Sequence, residues 1–245
     1  MHPIPRSFRH LGSPRRLCPI RLIHSAMATD SSQREPRALT SPQLTRISKS
    51  MSFVLRHGAA KAGIPMRSDG FVDVDDLLKF PKLRHVTLED LQQVVAADQK
   101  QRYTLVPVDP NPATQPPHWL IRANQGHSLA VKDLQLTPIV SPEEVPTVIH
   151  GSYERNWPSI EVQGLKRMTR NHIHFAPDLP NADGVISGMR TSCDLLIYID
   201  AAKAMGDGIR FYRSPNNVIL SEGIDGVIPP QYFSQVVHGR SRPTH

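Results

Sequence analysis

The sequence predicts an α+β fold in two lobes: a helical N-terminal lobe closed by a β-hairpin, then a β-rich C-terminal lobe. Three observations carry this. Apolar residues recur at helical spacing near the start, as in LTRISKSMSFVLRHG, where Ile47, Met51, Val54 and Leu55 share a face. From Thr147 onward they give way to short β-branched and aromatic runs. Between the two regions lies a proline-punctuated stretch, QLTPIVSPEEVP, which reads as a linker. The expected boundaries are a disordered leader over 1–38, a first lobe over 39–136, a linker over 137–146, a second lobe over 147–238 and a tail over 239–245.

Each element has a local reason. Ser41 followed by Pro42 is a good helix start, with serine as the cap and proline at the first position. The helix that follows runs to His57. GIPMRSDGFVDVDDLLKF reads as a turn, a short strand and a helix, and Thr87 with Asp90 forms a capping box at the head of TLEDLQQVVAAD. Two strands, RYTLVPV and HWLIRA, are joined by the loop DPNPATQPP. Three helices and a hairpin make a winged-helix pattern. In the second lobe TVIHGSY, HIHFA, CDLLIYID, GIRFYRS, NVILSEG and VIPPQYFSQVV read as strands, with one helix over NWPSIEVQGL. LLIYID is expected to place successive side chains on alternate faces.

Composition narrows the function. Residues 1–29 hold Arg6, Arg9, Arg15, Arg16 and Arg21 and no Asp, Glu or Lys; they carry five of the net +7 charges and leave +2 for the rest. The body is only mildly basic, so phosphate binding has to come from a local arrangement. The arginine-rich stretch resembles an organellar transit peptide, and Met27 opens an alternative start. The expected locations are cytoplasmic or nuclear, with an organellar (mitochondrial or plastid) form from the full N-terminus; a leader with no targeting role stays open. Cys18 and Cys193 are too few and too far apart for a disulfide framework, and with no HExxH or CxxC pattern no metal is expected. No apolar run approaches the ~20 residues that span a bilayer, so a soluble protein without a membrane partner is expected, and a monomer. Neither a GxGxxG nor a P-loop is present.

Four clusters carry chemistry: Arg56-His57 in LRHG, RANQGHS over Arg122–Ser128, HGSY with NHIHFA, and GMR ending at Arg190. A guanidinium fork beside a titratable ring suits a phosphate. Taken alone, Arg56-His57 can equally be a solvated helix end capped by Gly58, Arg122 a salt-bridged edge residue, and Arg190 a loop charge. His172 and His174 are two apart on a strand and share a face.

The order HGS, helix, then a strand ending in His-Phe-Ala looks like the NAD-binding core of ADP-ribosyltransferases. With all four clusters in sequence the chain closely resembles the tRNA 2′-phosphotransferase family. Its pattern of LRH, R-x-x-x-GHS, HGT/S, R-x-H-h-H-F/L, GMR and FYRS-x-N-h-h-h-S-E-G reads here as LRHG, RANQGHS, HGSY, RNHIHFA, GMR and FYRSPNNVILSEGI. The resemblance covers about Leu39 to Val237. It implies a winged-helix lobe joined to an ADP-ribosyltransferase lobe, a catalytic set of Arg56, His57, Arg122 and Arg190, and NAD contacts at His150, Gly151, Ser152 and His174. Arg213 and Asn217 are weaker carry-overs, with a structural role equally open. The RNA-facing side is expected to extend to the nearby Lys61 and Arg67, which by default are surface charges.

The implied reaction has two steps. The internal RNA 2′-phosphate of a spliced tRNA attacks the anomeric carbon of the nicotinamide ribose and expels nicotinamide. The ribose 2″-hydroxyl then attacks phosphorus, leaving 2′-hydroxyl RNA and ADP-ribose 1″,2″-cyclic phosphate. A phosphate dianion needs no general base, which fits an apolar residue such as Val218 where relatives of the wider superfamily carry a catalytic Glu; Glu222 is not expected in that role. The second step builds charge that positioned guanidiniums stabilise, and His57 could bind phosphate or move a proton. The alternatives are an ADP-ribosyltransferase that caps terminal phosphates of nucleic acid and stops there, or a non-catalytic winged-helix RNA-binding module.

Overall fold

The computed structural model describes residues 38–108, 118–179 and 188–239. The leader (all but residue 38 of it), the loop DPNPATQPP and all but the first residue of the tail lie outside the described residues. Those described mix helices with antiparallel sheets, an α+β arrangement.

The first helix, α1 (Ser41–Phe53), takes Thr40 and not Ser41 as its cap, because the Gln43 side chain reaches back to accept from the Thr40 N–H at 2.9 Å and its hydroxyl at 2.8 Å. It buries Ile47, Ser50 and Met51. The helix does not run regularly to His57. Residues Val54–Gly58 form a π-turn in which Ala59 N–H bonds the Val54 carbonyl at 3.0 Å. Such turns insert a residue into the helical ladder and change the direction of the side chains that follow. Gly58 is therefore inside this turn and not a C-cap; Gly63, with φ +66°, is where the chain reverses. The strand β1 (Val72–Asp73) leads into α2 (Val74–Leu78), which Asp73 caps by accepting from Asp75 N–H at 2.9 Å. Thr87 and Asp90 form the reciprocal box at the head of α3 (Leu88–Ala96), at 3.1 and 3.2 Å.

The hairpin strands β2 (Tyr103–Val108) and β3 (His118–Ala123) pair antiparallel from Tyr103↔Ala123 to Val108↔His118, and β1 adds to the free edge of β3. The helices pack on this sheet around Met51, Leu55, Leu77, Leu83, Leu91 and Ile121, all with no exposure. Truncating any of these to alanine costs about 2–5 kcal/mol.

The other half is built from short strands. β4 (Thr137–Ile139), β5 (Ile149–Ser152), β6 (Leu165–Lys166), β7 (Ile173–Phe175), β8 (Leu195–Ile199), β9 (Phe211–Arg213), β10 (Ile219–Ser221), β11 (Val227–Ile228) and β12 (Phe233–Val237) form sheets of order β4-β9-β10-β7, β12-β8-β5 and β11-β6. The helix α4 (Trp157–Gln163) follows β5, and α5 (Ala201–Gly206) follows β8, capped by Asp200 accepting from Lys203 N–H at 2.9 Å. The segment read as a linker contributes β4, whose Ile139 pairs with Phe211. Side chains swap faces along β8 but burial does not alternate: every residue but Tyr198 is buried, because the strand is central and covered on both faces. A bridge between Ile149 and Ala176 joins two sheets and brings β5 beside β7.

Both halves belong to one compact unit. Asparagines bridge them. Asn171 donates its backbone N–H to the His127 carbonyl at 2.9 Å and its amide to the Leu129 carbonyl at 2.8 Å. Asn216 donates to the Lys100 carbonyl at 3.0 Å.

Candidate active site

A cavity of about 400 Å³ lies where these bridges hold the halves together. The helical half supplies Arg56, Lys100, Arg102 and Gln125; the β-rich half supplies His150–Tyr153, Arg170, His174 and Arg190. No Asp or Glu lines it among the described residues.

Arg56 arrives from the π-turn. It lies against Gly126, where a Cβ would stand 3.4 Å from the Arg56 Nε. Its Nε and Nη2 are buried without a hydrogen-bond partner. Burial disfavours the charged form and lowers the guanidinium pKa, with neighbouring Arg170 and Arg102 adding to the effect. His57 lines a second groove beside Arg56. Its Nδ1 is 2.9 Å from Ser128 Oγ, and Ser128 N–H bonds the Arg56 carbonyl at 2.9 Å, which ties LRH to GHS. Burial, then Arg56, lowers the His57 pKa and favours the neutral ring.

Arg122 is held elsewhere. It is only 4 % exposed and does not line the cavity. Its guanidinium sits 4.6 Å over the Phe71 ring and donates to Gln135 Oε1 at 2.6 Å and the Asp69 carbonyl at 3.4 Å. Within electrostatic reach of both Arg122 and Arg56 is His127, 2 % exposed with neither ring nitrogen partnered. Burial, reinforced by Arg56, pushes its pKa down to about 4.

On the opposite wall His150 Nδ1 meets the His174 carbonyl at 2.9 Å, which fixes the imidazole on β5. A Cβ on Gly151 would meet Met189 Cβ at 2.8 Å and Cys193 Sγ at 2.9 Å, so this position tolerates no side chain. The Ser152 hydroxyl accepts from Asn156 Nδ2 at 3.2 Å. His174 is buried with Nε2 unpartnered, and burial drives its pKa well down. His172 and His174 together line an adjoining cavity of about 350 Å³, although only His174 lies on a strand, His172 preceding the first residue of β7. Arg190 follows Gly188, whose φ of +129° and approach to Ala176 (a Cβ would lie 2.6 Å from its Cα) demand glycine. Arg190 Nη1 reaches the Tyr153 hydroxyl at 3.5 Å, and that hydroxyl is 3.0 Å from Ser192 Oγ.

Arg213 and Asn217 stand outside the cavity lining. Arg213 bonds the Asn217 side chain and donates to the Glu144 carbonyl at 2.8 Å, while Asn217 takes φ +59° in the turn between β9 and β10. Their geometry is that of a hairpin clamp. Val218 is fully buried, and Glu222 lies outside the cavity, 3.9 Å from His172. The cavity also contains residues that sequence reasoning passed over: Lys100, Arg102, Gln125, Tyr153, Asn156 and Arg170. Arg170 opens the RNHIHFA run and was within reach; nothing in sequence separates Lys100 from a surface lysine.

Site and fold together define a phosphate-handling enzyme with a cationic cavity that no acid lines among the described residues. The model of the RNA 2′-phosphotransferase, Tpt1 / KptA family matches residues 42–223. The chain is 49% identical over 201 residues to tRNA 2′-phosphotransferase 1 of Bos taurus, covering 81% of this chain and 76% of that one. It is 50% identical over 193 residues to tRNA 2′-phosphotransferase 1 of Danio rerio, with 78% and 84% covered. With a probable RNA 2′-phosphotransferase of Rhizobium leguminosarum it shares 37% over 191 residues, with 78% and 93% covered. The chain belongs to the RNA 2′-phosphotransferase family. Among the described residues no cluster of three or more His, Cys, Asp or Glu could hold a metal, and no helix is long and apolar enough to cross a membrane.

Proposed function

We propose that this protein transfers the internal 2′-phosphate of spliced tRNA to NAD, the last step of tRNA splicing. The cavity carries the reading: Arg56, Lys100, Arg170 and Arg190 converge on it with no carboxylate lining it among the described residues, and Arg102, paired with Asp98, stands beside them. Taking several cations out of water without anionic partners is costly, of order several kcal/mol per ion. A phosphate with three acceptor oxygens removes that cost and satisfies the orphaned Nε and Nη2 of Arg56.

In this reading the helical half is a winged helix that faces RNA, and the β-rich half is an ADP-ribosyltransferase-like lobe. Residues 150–152 and His174 hold NAD. The donor set fits: Gly151 brings bare backbone to the cavity wall, and His174 Nε2 is buried and unpartnered. NAD, when bound, supplies an electrophilic sugar carbon and a stable leaving group. The 2′-phosphate is already an anion, so an acid-free cavity is no handicap. Arg56 and Arg190 grip it from opposite walls. His57, with Nδ1 committed to Ser128, offers Nε2 for proton exchange. Arg122 joins this set by exchanging Gln135 for the phosphate; in the present arrangement it positions the wing.

The test is to incubate the full chain with an RNA bearing one internal 2′-phosphate, with and without NAD, and resolve the products. NAD-dependent 2′-hydroxyl RNA with ADP-ribose 1″,2″-cyclic phosphate is the expected result. Accumulation of ADP-ribosylated RNA supports the capping alternative, and no reaction with no NAD binding supports the RNA-binding module.

A further inference from the structure

A second groove, of about 600 Å³, runs between α1 and α3 and meets the catalytic cavity at Arg56 and Arg102, which line both. Its α1 wall presents Ser41, Thr45, Lys49 and Phe53, all exposed and four residues apart. At 1.5 Å per residue this row is about 18 Å long, and it ends one turn before Arg56 and His57. Ser48 and Ser52 floor the groove, anchored by the Tyr103 hydroxyl at 2.9 and 2.6 Å.

Phe53 is the unusual member. It is 51% exposed on an otherwise polar face. One side of its ring is held by Phe80, with centroids 6.2 Å apart, and its edge lies over Gly58, where a Cβ would stand 2.6 Å from Phe53 Cε1. An aromatic ring pre-set in this way, beside a lysine and hydroxyls, has the composition of a single-strand nucleic-acid track: a stacking platform with backbone contacts. The carboxylate of Asp98 lines the groove too, but it is paired with Arg102 and accepts the Arg102 N–H at 2.7 Å. That leaves Lys49 and Arg56 as the cations along the groove without a carboxylate partner among the described residues, beside the His57 ring, whose neutral form burial favours.

We infer that this groove carries the RNA strand flanking the reacting ribose, with Phe53 stacking on a base and Lys49 on a phosphate; the inference rests on the 2′-phosphotransferase reading. The track explains how an enzyme acting on one ribose selects an internal 2′-phosphate: the strand leaves the cavity along α1.

The experiment measures binding of the full chain to a 2′-phosphorylated dinucleotide and to a decamer with the same modification centred in it, by fluorescence anisotropy. Wild type, Phe53→Ala and Lys49→Glu are compared over a salt series, and NAD-dependent turnover of both RNAs by wild type is followed in parallel. The decamer binds wild type more tightly than the dinucleotide. Phe53→Ala reduces that advantage by about tenfold, the effect of one lost stack. Lys49→Glu lowers the salt slope for the decamer by about one. Decamer advantage and salt slope unchanged in both variants overturn the groove. If wild type instead leaves the 2′-phosphate in place while the variants still lose the decamer advantage, the catalytic reading fails and the groove stands.

Discussion

Asn216, with no exposed surface, donates its side-chain amide to the carbonyl of Lys100 at 3.0 Å across the junction of the two halves. Its own oxygen accepts from Ser214 Oγ at 2.8 Å, so the amide cannot turn. Lys100 in turn donates Nζ to the Met189 carbonyl at 3.3 Å, next to Arg190. One buried asparagine thus sets the distance between the cations of one half and the arginine of the other. Asn216→Ala takes this partner from the Lys100 carbonyl, while the Ser214 hydroxyl keeps its bonds to Val218, and the loss costs about 1–3 kcal/mol. The expected outcome is a lower urea midpoint together with a drop in kcat; an unchanged midpoint would show that the junction does not depend on this bond.

Arg190 is exposed and its guanidinium reaches the Tyr153 hydroxyl at 3.5 Å. Arg190→Ala should therefore leave folding intact and reduce phosphate transfer by roughly 100–1,000-fold, the loss seen when one positioned donor is removed from a charge-stabilising site. Arg190→Lys should restore little, because an ammonium cannot offer two parallel donors. Single-turnover rates on labelled RNA, with thermal melts of the same variants, check both statements.

Arg122 differs in kind. Packed over Phe71 and bonded to Gln135 and Asp69, it contributes to the sheet that carries it. Arg122→Ala should lower stability by about 2 kcal/mol or more, from lost charge-assisted bonds and ring packing, in addition to lowering activity. A variant as stable as wild type would show that these contacts are incidental. From sequence alone the expectation for Arg122 is loss of activity with little loss of folding; its burial is what changes that.

The buried histidines set the pH response. His127 has a folded pKa of about 4 against an ordinary value of 6.5. Above 6.5 neither folded nor unfolded chain is protonated there and nothing is lost. Below it the unfolded chain takes up a proton that the folded one refuses, so stability falls as pH drops from 6.5 to about 4. At pH 5 the loss from this residue is about 2 kcal/mol relative to neutral pH. His150, His172 and His174, all lowered by burial, act in the same direction. Urea melts at pH 7 and pH 5 should differ, and His127→Gln should narrow the gap; an equal gap in the variant would remove His127 from the account.

Much of the site was legible because its parts are short and local. LRH, HGS and GMR sit on separate elements, yet each marks its own residue by type and context, and Arg56, His150, Gly151, Ser152, His174 and Arg190 do meet in one cavity. Local hydrogen bonding also made the Thr87–Asp90 cap readable. What escaped depends on longer range. The π-turn under Arg56 is defined by a backbone bond from Ala59 to Val54 that no side-chain pattern announces. Lys100 is fastened to the site by Asn216 and by the Met189 carbonyl, both far along the chain. Arg213 and Asn217 carry a motif whose geometry is that of a turn, since a left-handed asparagine and its arginine partner close a hairpin. β8 reads in sequence as alternating, yet four of its five residues are buried because both its faces are covered.

The central claim is that the acid-free cavity takes the RNA phosphate and that Arg56 grips it. The most direct measurement compares the affinity of wild type and Arg56→Gln for two oligonucleotides that differ only in carrying a 2′-phosphate or a 2′-hydroxyl at one internal position. Wild type should prefer the phosphorylated strand by roughly ten- to a hundredfold, the worth of one or two charge-assisted bonds, and Arg56→Gln should erase most of that preference. An undiminished preference in Arg56→Gln would contradict the account.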